Sequence, residues 1–182
     1  ATSEEVTMSI RGGSSRTSYN VSTAYNNSNS IQGLTNMKNY RVGLIGDWWV
    51  ISDKFKLTES FRVHHYNTNG TDADFVGGLR MPPYAPIYDE NAIGGYSYVT
   101  TTDDLNDAAN PLTGMNNTDY YSKGINIMAQ LGAEIHFLKY FTFNSSIGVT
   151  GNSYTTNTWN NPTQNGNLVN PDYQLTENFG FS

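Results

Sequence analysis

Residues 124–137 read Gly-Ile-Asn-Ile-Met-Ala-Gln-Leu-Gly-Ala-Glu-Ile-His-Phe. Ile125, Ile127, Ala129, Leu131, Ala133, Ile135 and Phe137 share one parity. Asn126, Gln130, Gly132, Glu134 and His136 share the other. A period of two belongs to the β-strand, whose successive side chains point to opposite faces. The run is longer than the five or six residues usual in a globular strand. At about 3.4 Å per residue it spans more than about 40 Å. A tilted strand needs roughly 9 to 11 residues to cross a bilayer.

The pattern recurs along the chain. Val6, Met8 and Ile10 alternate with Thr7, Ser9 and Arg11, and Tyr19, Val21, Thr23 and Tyr25 alternate with polar partners across a Gly-Gly-Ser-Ser break. Residues 40–51 place Tyr40, Val42, Leu44, Trp48 and Val50 opposite Arg41, Gly43, Asp47 and Trp49. Phe61 and Val63 oppose Ser60, Arg62 and His64, with Glu59 an exception on the apolar side. Phe141, Phe143, Ile147 and Val149 oppose Thr142, Asn144, Gly148 and Thr150. These are six antiparallel strands, and residues 173–182 read as the start of a seventh.

Composition narrows what the two faces meet. Charged residues make up 14% of the chain and hydrophobic residues 37%, against roughly 25% charged in ordinary soluble domains. Neither a thick core nor a highly charged surface is available. An aromatic content of 13% argues against disorder. The net charge of −6 argues against nucleic acid, whose phosphates need clustered Lys and Arg. The absence of Cys excludes a disulfide framework and thiolate metal sites. No long apolar run suggests a spanning helix, and no charged-then-apolar leader opens the chain, so any signal peptide is expected to be missing or removed.

The connections carry a second pattern. Those near Ser14-Ser15, Ser52-Asp53-Lys54 and Leu138-Lys139-Tyr140 read as tight turns. The intervening segments, near residues 26–38, 67–119 and 152–172, read as long loops. Strict alternation puts short turns at one end of an up-and-down sheet and long loops at the other, as in outer-membrane barrels. Trp48, Trp49, Tyr140 and Phe141 lie beside the turns, and Tyr25, Tyr66, Tyr120, Tyr121 and Tyr154 beside the loops, as two interfacial girdles would require. The expected fold is all-β: antiparallel up-and-down strands forming a segment of a transmembrane β-barrel. Its apolar face meets lipid and its polar face a lumen. Six strands fall short of the eight or so at which bacterial barrels close, so residues 1–182 are expected to be part of a larger barrel.

Several residues resemble the SusC/RagA family of TonB-dependent outer-membrane transporters of Bacteroidetes. Gly12, Gly13, Ser14, Tyr19, Ser22 and Tyr25 match its Ser-x-Gly-Gly-Ser…Tyr…Ser…Tyr hairpin, and Tyr40-Arg41 its next strand. Pro83, Pro86, Tyr88 and Asp89 sit where the family has a Pro-x-x-Pro-x-Tyr-Asp loop, followed by Asn110-Pro111. The stretch Leu-Lys-Tyr-Phe-Thr-Phe at 138–143 resembles its Leu-Lys-Gly-Leu-x-Phe periplasmic turn. Tyr140 replaces the usual turn Gly, the Gly behind Asp89 is delayed to Gly94, and Gly43 stands where Asn is common. The resemblance implies a 22-stranded barrel, a plug that couples to TonB, and a SusD-like surface lipoprotein. It implies import of oligosaccharides or peptides. It places this chain in the early barrel, after the plug, so contact with TonB would run through a plug outside the chain.

Candidate sites follow from chemistry and position. The loop Asn67–Asp119 is too long for mere connection. Its rings Phe75, Tyr84, Tyr88, Tyr96 and Tyr98 suit sugar faces or peptide side chains; the other reading packs them on the loop itself or on the lipoprotein. His64 and His65 point to opposite faces and cannot share an ion. Glu134 and His136 share the lumen face without an evident third ligand. Asp72, Asp74, Asp89, Glu90, Asp103, Asp104 and Asp107 fit no calcium-loop spacing and read as solvated charge. No nucleophile elbow, HExxH or phosphate loop is present, so no catalysis, cofactor or metal is expected. Two rival readings are a secreted carbohydrate-binding β-sandwich and a non-transporting outer-membrane barrel such as an adhesin or assembly factor.

Overall fold

The computed structural model describes residues 2–98, 110–138, 140–164 and 167–182. Its strands are β1 (Ser3–Gly13), β2 (Thr17–Asn29), β3 (Asn36–Ile51), β4 (Phe55–Asn69), β5 (Thr118–Phe137), β6 (Phe141–Asn160), the short pair β7 (Thr163–Gln164) and β8 (Asn167–Leu168), and β9 (Asp172–Phe181). Helices α1 (Phe75–Arg80) and α2 (Pro111–Asn117) lie between β4 and β5. Seven strands form one antiparallel sheet in the order β1-β2-β3-β4-β5-β6-β9, and β7 pairs with β8. The seventh strand expected from residues 173–182 is β9.

The register unites the alternating patterns into two continuous faces. Val6, Tyr25, Tyr40, His65 and Ile125 form one cross-strand row, and Met8, Thr23, Val42, Val63 and Ile127 the next. Directly opposed residues share a face, so the apolar halves of β1 to β6 align. A slip of one residue in any pair would break this surface. The opposite face carries mostly Ser, Thr, Asn, Arg and Gly, with Met37, Ile45 and Met128 among its apolar exceptions.

Among the described residues nothing covers the apolar face. Val6, Met8, Ile10, Phe61, Leu131 and Ile147 are all exposed, and among the described residues no large side chain is fully buried. The chain exposes 12526 Å², whereas a compact monomer of this size exposes about 8,800 Å². Among the described residues the seven sheet strands pack on their sheet neighbours, α2 meets β5 and β7, and no second sheet layer lies against them. A β-sandwich needs such a layer about 10 Å away, which removes the structural basis for the sandwich reading. No described helix is long and apolar enough to cross a membrane.

The three tight turns stand where expected, with Asp53 and Leu138 at φ 57°; Lys139 lies outside the described residues. The other links differ from the sequence reading. They span 30–35, 70–117 and 161–171, shorter than the expected 26–38, 67–119 and 152–172. Strands β2 and β3 pair out to Asn29 and Asn36, and β5 and β6 out to Thr118 and Asn160. These ends are rich in Asn, which is depleted in strands, and mix it with Ser and strand-favouring Thr, so no clear strand signal emerges. Pairing with a committed neighbour holds them extended.

The aromatic girdles also differ in membership. Tyr66, Tyr120, Tyr154 and Trp49 lie on the polar face, because their row partners are polar-face residues. The outer bands are instead Tyr25, Tyr40, Tyr121, Trp159 and Tyr173 at the loop end, and Trp48, Phe55, Phe137, Phe141 and Phe143 at the turn end. Tyr40 and Trp48 are about 27 Å apart along β3, or about 20 Å in height at a 40° tilt. The apolar band of an outer-membrane barrel is about 25 Å tall. Glu59, the exception on this face, accepts a hydrogen bond from Trp48 Nε1 at 3.1 Å.

Gly70 joins the long segment to the sheet. Its φ is 87°, and a Cβ there would lie 2.3 Å from the Leu34 carbonyl oxygen. Leu34 N–H donates to Thr71 O and Ala73 N–H to Gln32 O, tying 30–35 to 70–73. Gly70→Ala is expected to break this junction, since a left-handed residue with a Cβ costs about 1–2 kcal/mol before the clash. Amide exchange at Leu34 and Ala73 should rise at least tenfold while strand centres stay protected; unchanged exchange at both amides would refute the assignment.

Candidate functional site

Two surfaces offer contact to other molecules: the segment 70–117 at the loop end, and the polar face of the sheet. The segment is organised around Asn110. Pro111 occupies the first turn of α2, where its missing N–H costs nothing. Asn110 caps that helix, its Oδ1 accepting from Leu112 N–H at 3.1 Å. Its Nδ2 donates to the carbonyls of Ile87 at 2.7 Å and Ser97 at 3.2 Å. The residue is 4% exposed, and its one amide serves three backbone groups, of which the Ser97 carbonyl belongs to a buried residue.

Ile87 and Ser97 belong to a small hairpin. Ser97 N–H donates to Ile87 O, Asp89 N–H to Gly95 O, and the Ser97 hydroxyl to Pro86 O. Asp89 Oδ1 accepts from Asn91 N–H at 2.9 Å, an Asx turn. Gly94 and Gly95 have φ of 90° and 77°. Pro86, Asp89 and Asn110, which carry the sequence resemblance, therefore build the loop's frame. Asn-Pro is a readable N-cap signal; its reach back to residues 87 and 97 is not local and was not legible.

The five aromatic candidates do not converge. Tyr88 and Tyr96 form a bridge, their rings 5.5 Å apart, with Tyr96 half-buried. Phe75 opens α1 and is exposed, Tyr84 is 70% exposed, and Tyr98 is exposed beyond the hairpin. Among the described residues these three make no ring contact. Asp72 bridges to Gly33, and Asp74 precedes α1 without capping it by side chain. Asp103, Asp104 and Asp107 lie outside the described residues. Among the described residues no group of acidic or His side chains is arranged for a metal.

On the polar face, Glu134 and His136 bond each other at 2.5 Å, and His136 meets the Trp49 ring edge-on at 5.7 Å. Lys56 pairs with Asp47 at 3.3 Å. His64 bonds buried Asn39 at 3.0 Å, while His65 stacks on Tyr40 across the sheet. The two histidines do face opposite ways. Among the depressions on this face are two lined by the sheet strands. One of about 310 Å³ is lined chiefly by Thr58, Ser60, Gln130, Glu134, Asn144 and Ser146. The other, of about 520 Å³, is lined by Ser22, Ala24, Arg41, Gly43, Arg62 and His64 among others. The grouping of Arg41 with Arg62 escaped the sequence reading, because it depends on the β3–β4 register.

The fold matches a solved structure, the RagAB peptide importer in the "closed-closed" state. The match covers 97% of this chain with a TM-score of 0.69 at 18% identity. This chain spans 21% of the chain it matches. At that identity the likeness shows a common fold. No protein-family model and no curated protein matches the sequence.

Proposed function

We propose that the chain forms consecutive wall strands of an outer-membrane nutrient importer of the SusC/RagA type. The carrying observation is the continuous apolar face, uncovered across six strands and bordered by aromatic rows. Lipid is the solvent that such a face requires, since exposing it to water is unfavourable by about 25 cal/mol per Å². The likeness to a chain of a peptide importer and the sequence motifs of the family support the reading. In it, the polar face lines the lumen, and segment 70–117 forms part of the external vestibule. Oligosaccharides or peptides are the cargo, a SusD-like lipoprotein the partner, and TonB the energy source through a plug outside this chain. Phe75, Tyr84, Tyr88, Tyr96 and Tyr98 meet cargo or lipoprotein. The chain's role is passive, without catalysis.

The test is the native full-length protein. It is expected to fractionate with outer membranes and to migrate faster on gels unheated than boiled, because a closed barrel resists detergent until heated. Recovery as a soluble monomer with no heat-dependent shift would overturn the proposal.

A further inference from the structure

The 520 Å³ depression sets Arg41, Arg62 and His64 beside a lining of small and apolar residues, Ile45 among them. Arg41 lies directly opposite His64, and Arg62 directly opposite Gly43. The two guanidinium groups are therefore diagonal neighbours on one face of adjacent strands, within mutual reach. Like charges so placed repel, and among the described residues no carboxylate pairs with them. Their rows hold Thr7, Ala24, His64, Asn126 and Asn152, then Ser9, Ser22, Gly43, Met128 and Thr150. The next row toward the turns is also free of acids. Glu5, in the next row toward the loops, is on β1, two strands from β3. Among the described residues the ion pairs are Lys56–Asp47 and His136–Glu134, which leaves both arginines without an ionic partner. Ala24, Ser22 and Gly43 keep space open beside them instead of packing their stems. The volume falls within the range of small-ligand sites.

We propose that this depression binds a carboxylate group of the imported cargo, held by Arg41 and Arg62. A guanidinium presents paired N–H donors that match a carboxylate's two oxygens. A carboxylate between the two arginines would turn their repulsion into two attractions. The shared chemistry is an acidic side chain or terminus of a peptide, or a uronic acid of an oligosaccharide. The inference rests on the importer reading, since only then does this face line a path for cargo.

The experiment uses the native full-length chain purified in detergent, with tetraglutamate, trigalacturonate and tetraglutamine as calorimetric probes. At least one acidic probe is expected to bind ten or more times more tightly than tetraglutamine. A preference between the two acidic probes assigns the peptide or the sugar source. The double substitution Arg41→Gln/Arg62→Gln should abolish the discrimination, while Arg16→Gln, in the β1–β2 turn, should leave it intact. Equal binding of acidic and neutral probes, binding of none, or discrimination surviving the double substitution would sink the inference. Heat-dependent gel migration of the same preparations checks that each variant folds. A preparation that passes this check without discriminating removes the carboxylate site alone; failure of the unsubstituted protein removes the importer reading.

Discussion

Ile127→Arg is expected to destabilise the assembled protein in lipid by about 2–4 kcal/mol, the cost of an arginine on the lipid face of a barrel near mid-bilayer. Ile127 lies between Val63 and Gly151 in the middle of the apolar face. Its neighbour Asn126 lies between His64 and Asn152 on the polar face. Asn126→Arg should therefore cost much less, no more than about 1 kcal/mol, the repulsion from Arg62, diagonal to it across β4 and β5, included. The two variants share the strand, the introduced residue and the added charge, and load opposite faces. Urea titration of the full-length protein folded into lipid vesicles reads both. A large fall for Ile127→Arg beside a small one for Asn126→Arg supports lipid against the apolar face. Equal effects would mean that this face does not meet lipid, whatever the fold.

The second large effect concerns Asn110. Asn110→Ala removes the α2 cap, worth about 1 kcal/mol, and strips partners from the carbonyls of Ile87 and Ser97, at about 1–3 kcal/mol where such a group stays buried. The loss should total about 2–4 kcal/mol and stay local, because the segment packs on itself. Asn110→Asp separates the two roles. Asp caps as well as Asn, so the Leu112 amide should stay protected. Its carboxylate cannot donate to Ile87 and Ser97, and repels their oxygens. Hydrogen exchange should then show the Ser97 amide deprotected in both variants and the Leu112 amide deprotected in Asn110→Ala alone. Protease cutting within 85–98 should rise in both. If both variants were as protected as the parent, Asn110 would not hold the hairpin.

The same comparison explains why the family-like motif was legible while its role was not. Pro86, Asp89 and Asn110-Pro111 stand out as turn and cap residues by local rules. That they serve one frame depends on Asn110 closing over residues 87 and 97, contacts 23 and 13 positions away. The aromatic candidates misled in a related way. Tyr88 and Tyr96 were grouped with Phe75, Tyr84 and Tyr98 because all lie in one long loop, yet the fold joins only the first two.

The period of two in residues 124–137 is a consequence of covalent geometry, so the strands, their apolar face and the tight turns were determined by the sequence alone. Strand ends were not, because Asn, Thr and Ser at 26–29, 36–39 and 152–160 take the conformation their neighbours impose. Which aromatics face outward at the loop end was decided by strand parity carried through those unpredicted ends. Tertiary structure alone placed Trp48 against Glu59 and gathered Arg41 beside Arg62. Each of these pairs depends on the register between β3 and β4, and register is a property of two strands, which no single stretch of sequence encodes.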